Sequence, residues 1–473
     1  MSESEICFMT ATEMVQKIHA GALSCRDVMQ AHLARIERVN PTVNAIVTRI
    51  PDDELIARAK SADEELAGGK TVGPLHGLPI AHKDLVSTRG LRTTQGSLIF
   101  KDHIPDYDGL IVERLKNAGA ITIGKTNTPE FGAGSQTFND VFGETLNPYD
   151  TTKTCGGSSG GAAVALACGM IPLADGSDMG GSLRNPGNFC NIVGFRPSPG
   201  RVPVWPAQTP WFTLPVEGPM ARTVADIALM LSAIAGPDPR SPIAVAEPGN
   251  IFARPLDRDF KNVRIAWSPD LGELPVDARV TNVLEDQRHV FEDLGCVVEE
   301  GQPDFSAADE IFKVWRSWYF ELKLGELLKT HRNLMKDSVI WNIEQGQKVT
   351  GPQLGRVETK RAELYERVRV FMQSHEFLIC PVNQVPPFAV DCRWVEEING
   401  VKMNSYIDWM KSCYYITCTG LPAVSVPCGF TPEGLPVGVQ IVGRHNDDFG
   451  VLQLAHAFEQ ATGVGRRRPQ LVK

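Results

Sequence analysis

Three serines and one lysine are the groups in this chain whose types and settings suit nucleophilic chemistry. The stretch "CGGSSGGAAVALACGMIPLADGSDMGGSLRNPG", Cys155 to Gly187, holds two glycine-walled serine sites, with Ser158 and Ser159 in the first and Ser182 in the second. Met179, Gly180 and Gly181 stand directly ahead of Ser182. Glycine lets a backbone curl so that successive N–H groups point into one concavity, which suits an oxyanion. On that reading Ser182 attacks a carbonyl while these amides hold the developing charge; the plain alternative is a tight turn. A serine nucleophile needs a base, no histidine stands nearby, and the next choice is lysine. Lys83 ends the apolar run of "LPIAHKDLV", although a strand-end lysine neutralised by Asp84 fits the same text. As a base it must be uncharged, which means lowering its pKa from about 10.4 to near 7.5, roughly 4 kcal/mol, and burial among hydroxyls can supply that. His82 points to the opposite side of a strand and is not given the role.

Two motif expressions compete for these residues. "GAITIGKT", Gly119 to Thr126, satisfies the P-loop pattern. That mechanism needs a glycine-rich loop followed by a helix, whereas the intervening residues here are strand-like and Asn127, Pro129 and Gly132 block a helix. "GGSSG" fits the nucleophile elbow G-x-S-x-G with Ser158 or Ser159, which calls for a preceding strand and a later acid and histidine. "NPYDTTKTCGG" reads instead as loop, and His289, His331, His375, His445 and His456 have no distinctive setting.

The elements that must position these groups read as an α/β core. Thr10 with Glu13 makes a capping-box signature, Ser24 can cap a second helix that ends at Asn40-Pro41, and a third runs from about Asp53 to Leu66. "GLPIAHKD" and "AITIGKTN" read as buried strands, with a helix over Val112 to Ala118 between them. Pro237 to Asn250 reads as loop, and about Leu271 to Val370 as mainly helical. Strand text returns at "FLICPV", "AVSVPCGF" and "VGVQIVG", before a closing helix from Phe449 to Thr462. The expected organisation is one large domain with a helical insertion or cap. Its parts are residues 1–70 (N-terminal helices), 71–235 (core), about 240–370 (insertion) and 375–473 (closing strands and helix).

Composition narrows the function classes. The chain has 473 residues, 42% hydrophobic and 22% charged, and a formal charge of -9, which argues against nucleic acid or an acidic membrane surface as main partner. The start "MSESEICF" lacks an apolar signal core, and no apolar stretch is long enough to span a bilayer. Eleven scattered cysteines without a Cys-x-x-Cys pair read as reduced thiols of a cytoplasmic protein, with no zinc site.

At these residues the sequence resembles the amidase signature family. The block "GGSSGGAAVALACGMIPLADGSDMGGSLRNPGNFCNIVGFRPSPGRVP" matches its diagnostic segment, and "GPLHGLPIAHKD", "GKTNTPEFGAG", "FGETLNP" and "GLPAVSVPCGF…GLPVGVQIVGR" match further parts. The resemblance implies a central mixed β-sheet flanked by helices and a Ser–cis-Ser–Lys triad. Ser182 falls on the nucleophile, Ser158 on the bridging serine after a cis Gly157–Ser158 bond, and Lys83 on the base. The backbone of Met179, Gly180, Gly181 and Ser182 forms the oxyanion hole, Ser159, Asp178 and Arg184 are supports, and Gly132 lines the pocket. No metal or organic cofactor is implied. Met179 stands where Thr or Ile is frequent, and "FRPSPGR" departs from the usual text.

The implied activity is hydrolysis of a carboxylic amide C–N bond. Two aromatic segments, Trp205 to Phe212 and Val314 to Phe320, are expected to close over the site, with Trp205, Trp211 and Trp318 as substrate contacts, although core packing is the equal alternative. They favour aryl, arylalkyl or other apolar acyl amides. Carbamates (urethanes) are an alternative, and the glutaminase-like subunit of a tRNA-dependent amidotransferase is a competing class. A small-molecule substrate and a homodimer are the partners expected.

Overall fold

The buried runs of the sequence pair with one another into a single mixed sheet of 11 strands. A computed structural model describes residues 1–472. In chain order the strands are β1 (Ile46–Arg49), β2 (Pro79–Lys83), β3 (Ile121–Thr126), β4 (Leu173–Asp178), β5 (Val193–Arg196), β6 (Val216–Ala221), β7 (Arg264–Trp267), β8 (Val297–Glu300), β9 (Phe377–Pro381), β10 (Ala423–Phe430) and β11 (Pro436–Val442). Across the sheet they run β1-β3-β2-β4-β6-β5-β10-β11-β9-β7-β8. The neighbours of β2 are both parallel to it, whereas β4 and β6 pair antiparallel. Every residue of β2, β3 and β11 is buried, so these strands show no alternation of apolar and solvent-facing positions, and their few polar residues are buried with the rest.

Helices cover the sheet. The wholly buried Gly160–Ala167 helix begins immediately after Ser159 and carries only small and aliphatic side chains, so it can lie in the interior with no polar stripe. The Thr10–Glu13 capping box opens the Ala11–His19 helix, and the Ser24 side chain caps Cys25–Val43. That second helix does not stop at Asn40-Pro41. Pro41 sits in its last turn, and left-handed Asn44 ends it while Asn40 Oδ1 accepts from the amides of Ala45 and Ile46. Among the described residues no helix is long and apolar enough to cross a membrane.

The segment expected to be mainly helical contributes three long helical pieces, Ala308–His331, Asp337–Gly346 and Gly351–Ser374. It also supplies β8, which extends the sheet edge in parallel with β7. "VVEE" lies on that edge with no residue buried, so neither alternation nor a buried run marks it as a strand.

One charged cluster lies inside this frame. Asp178, at the end of β4, Arg184 and Arg196 are fully buried. Arg184 donates to Asp178 from Nε at 3.0 Å and Nη2 at 2.9 Å, and reaches Gln440 Oε1 on β11 at 2.6 Å and Thr417 Oγ1 at 2.9 Å. Arg196 Nη1 donates to the Asp178 carbonyl at 2.6 Å. Burial pushes the Asp178 carboxyl upward, but the two guanidiniums overcome it and hold the group well below the usual carboxylate range. Asp178→Asn keeps the shape and leaves two buried cations short of a counter-charge. We expect a loss of about 3–5 kcal/mol, read as a lower urea midpoint.

Candidate active site

The end of β2 is held by its neighbours before Lys83 does anything. His82 Nδ1 lies 2.7 Å from Asp175 Oδ1 on β4, and Nε2 lies 2.9 Å from Thr122 Oγ1 on β3. Asp175 Oδ2 accepts the Lys83 amide at 3.2 Å. Asp84 turns away to accept from the Thr94 amide at 3.1 Å, so it is not the partner that neutralises Lys83.

The lysine side chain, 1% exposed, ends among hydroxyls. Nζ donates to Ser158 Oγ and Ser159 Oγ, each at 2.8 Å, to Ser177 Oγ at 3.0 Å and to the Ser177 carbonyl at 3.4 Å. Burial pushes its pKa down to about 7, against the upward pull of Asp178, Asp175 and Glu217. Near neutrality much of it is therefore an uncharged amine, and the contact with Ser158 can then run the other way, with the hydroxyl donating to nitrogen.

The two serine turns meet here. The Gly157–Ser158 peptide bond is cis, and the Ser159 amide donates to the Ser182 carbonyl at 3.3 Å. Ser158 and Ser182 both open onto one cavity of about 420 Å³ that Lys83 also lines. The amides ahead of Ser182 divide into two groups. Those of Met179, Gly180 and Ser182 have no hydrogen-bond partner among the described residues, whereas Gly181 N–H donates to Asp178 Oδ1 at 2.9 Å. This corrects the expected set of four free donors: the Asp178 carboxylate has taken the Gly181 amide, and the other three stay without a partner among the described residues. Gly181 instead supplies a left-handed turn, at φ 116°.

The aromatic segments do wall the cavity, but not through all the residues expected. Trp205 lines it, and so does Gly132. Trp211 is 73% exposed and Trp318 packs behind Phe212, with ring centroids 5.5 Å apart; neither lines the cavity. Phe212, Tyr319 and Phe320 take that place, with Arg316 and Lys323 beside them. Phe212 stacks on Tyr319 at 5.1 Å, tying the loop to the Ala308–His331 helix. A run of neighbouring aromatics cannot announce which ring faces inward until the loop's path is known.

Sequence reasoning missed Ser177, Asp175 and Glu217. The signal for the first two was their place in "LADGSD", where polar residues interrupt an apolar strand. For Glu217 it was one acid inside "LPVEGPM". The P-loop pattern has no phosphate cradle: its residues form buried β3, and Lys125 Nζ donates to Thr88 Oγ1 at 2.9 Å.

Comparison with known proteins shows the family of the chain. The family model Amidase matches residues 27–452. An acylamidase of Rhodococcus erythropolis is 34% identical over 474 residues, covering 99% of this chain and 98% of that protein. A glutamyl-tRNA(Gln) amidotransferase subunit of Geobacillus kaustophilus is 35% identical over 476 residues, covering 95% and 96%. Among solved structures, a bacterial aryl acylamidase of the amidase signature family superposes with a TM-score of 0.91 at 26% identity, covering 97% of each chain.

Behind the first serine turn the packing is tight. A Cβ at Gly176 on β4 would come 2.7 Å from Ser159 Oγ and 2.7 Å from Leu183 Cδ2. Gly176→Ala is expected to cost about 1–3 kcal/mol and to lower turnover by displacing Ser159. Adding Ser159→Ala should return part of the stability, measured by urea unfolding of both variants.

Proposed function

The chain belongs to the amidase family and is a hydrolase acting on C–N amide bonds, and from that premise we propose a broad-specificity amidase that prefers aryl, arylalkyl or other apolar acyl groups. The observation that carries the reading is Lys83 Nζ, buried among hydroxyls 2.8 Å from Ser158 Oγ, on the cavity that Ser182 shares.

Neutral Lys83 takes a proton from Ser158, which takes one from Ser182 as its Oγ attacks the amide carbonyl. The charge on oxygen falls to the amides of Met179, Gly180 and Ser182, where preorganised donors are most effective. The proton returns through Ser158 to the leaving nitrogen, amine departs, and water attacks the acyl-enzyme with the lysine again as base. Ser159 and Ser177 hold the amine in place, and Asp178 with Arg184 holds the loop. Carbamates fit the same attack and are the alternative substrate. The resemblance to the amidotransferase protein supports a second reading, glutamine hydrolysis within a complex. The aromatic walls favour the first, since a small zwitterion leaves those faces uncovered.

A panel of anilide, arylacetamide, fatty amide, carbamate and glutamine substrates tests this. Turnover of aryl amides by the purified chain alone is the expected result, and turnover of glutamine only, with a partner added, would transfer the assignment to the second reading. Ser182→Ala is expected to lower kcat by at least about 10⁴-fold, and Lys83→Ala by about 10²–10⁴-fold. Because the working form of Lys83 is deprotonated, kcat/KM should fall about tenfold per pH unit below about 7. A profile flat to about pH 5 would remove the lysine from the base role.

A further inference from the structure

Two buried polar side chains beside the base take no part in the proposed reaction. His82 and Asp175 lie on the neighbouring parallel strands β2 and β4. They form one line of hydrogen bonds across three strands. Thr122 Oγ1 lies 2.9 Å from His82 Nε2, His82 Nδ1 lies 2.7 Å from Asp175 Oδ1, and Asp175 Oδ2 accepts the Lys83 amide at 3.2 Å. Well-packed apolar residues often hold strands together as firmly as a buried polar line, so this one points to a use for its charge.

Counting hydrogens assigns that charge. An ionised carboxylate only accepts, so the proton between His82 and Asp175 belongs to Nδ1. Thr122 is buried too, and its hydroxyl has no other partner among the described residues. Its proton therefore goes to Nε2, which must be bare to receive it. An imidazolium in the same place would leave the Thr122 hydroxyl hydrogen without an acceptor. The imidazole is neutral, Asp175 is ionised, and the line carries one net negative charge.

The other charges around Lys83 are committed elsewhere. Asp178 on β4 is outnumbered by Arg184 and Arg196, and Asp84 turns away to Thr94. Lys125, opposite His82 on β3, donates to Thr88 Oγ1. Burial pushes the carboxyl of Glu217 on β6 up to about 8, so near neutrality it is largely uncharged. The Lys83 amine is pushed down by burial, and Asp175 is among the acids that pull it back up. Its Nζ is bonded to hydroxyls and a carbonyl, yet it becomes an ammonium each time it takes the Ser182 proton through Ser158. We propose that the His82–Asp175 pair is a positioning device for the base: a neutral imidazole holds an ionised carboxylate in place, and that charge steadies the ammonium Lys83 becomes without pinning it as one beforehand. The proposal rests on Lys83 as the base of amide hydrolysis.

The test compares pH profiles of kcat/KM for the full chain on an aryl amide. Asp175→Asn can keep both hydrogen bonds, because the imidazole can move its proton to Nε2 with Thr122 accepting, and it removes the charge alone. Its acid limb should move down by about one pH unit, since a less basic lysine is neutral at lower pH, and kcat on the plateau should fall about tenfold. His82→Gln, whose carboxamide still donates to Asp175, keeps the charge and should leave the limb within about 0.3 unit. A purely structural role would lower the urea midpoint of both variants and move neither limb. The proposal is overturned if Asp175→Asn leaves the limb in place, or if His82→Gln moves it equally far. Should Asp175→Asn fail to fold by circular dichroism, nitrogen NMR of wild type decides, with the His82 signals identified by their loss in His82→Gln. One protonated ring nitrogen from about pH 6 to about pH 8 is expected, and an imidazolium there overturns the proposal. A wild-type profile flat to about pH 5 removes the base and both readings with it, whereas a sloping limb that Asp175→Asn leaves unchanged removes only this one.

Discussion

A lysine amine buried away from water has a narrow range of acceptable surroundings, and the structure around Lys83 is organised by that range. Stripped of polar neighbours, the amine would be neutral but free to wander; given a carboxylate at contact distance, it would be held as a charged ammonium. Hydroxyls lie between the two, because they fix the nitrogen by hydrogen bonds and accept or donate according to its protonation. Ser158, Ser159 and Ser177 supply them from two separate segments. Bringing those segments to the end of β2 requires β4 to run parallel beside it and the Gly160–Ala167 helix to start at the serine turn.

The same constraint explains where the acids go. Three carboxylates near the lysine are occupied by something else: Asp175 by His82, Asp84 by Thr94, and Asp178 by Arg184 and Arg196. The Asp178 cluster also shapes the turn ahead of Ser182, since its carboxylate accepts from both Gly181 and Leu183 amides. The ion cluster that ties β4 to β11 therefore sets which backbone donors remain open to a substrate. Lys83 and Ser177 come from the sheet and Ser158 and Ser182 from the turns beside it, while the cavity walls include the Trp205–Phe212 loop and the Ala308–His331 helix.

Much of this was legible before any coordinates. Glycine next to serine, twice, is a local pattern, and so is a lysine ending an apolar run. Capping signals at Thr10 and Ser24 are local too, because a side chain meets a backbone amide three residues away. The edge strand β8 and the continuation of a helix through Pro41 were not legible. The first depends on β7 lying alongside, and the second on how Asn40 and Asn44 close the turn.

The sequence by itself determined the candidate reacting groups and their local backbone setting, since glycine freedom, serine chemistry and an out-of-place lysine are properties of residues and near neighbours. Only the tertiary structure decided which amides stay free, which aromatic rings face the cavity, and that Ser177 and Glu217 stand across from each other beside the lysine. Those outcomes depend on strand register and on competition for hydrogen bonds between residues distant in the chain, and such competition has no local signature.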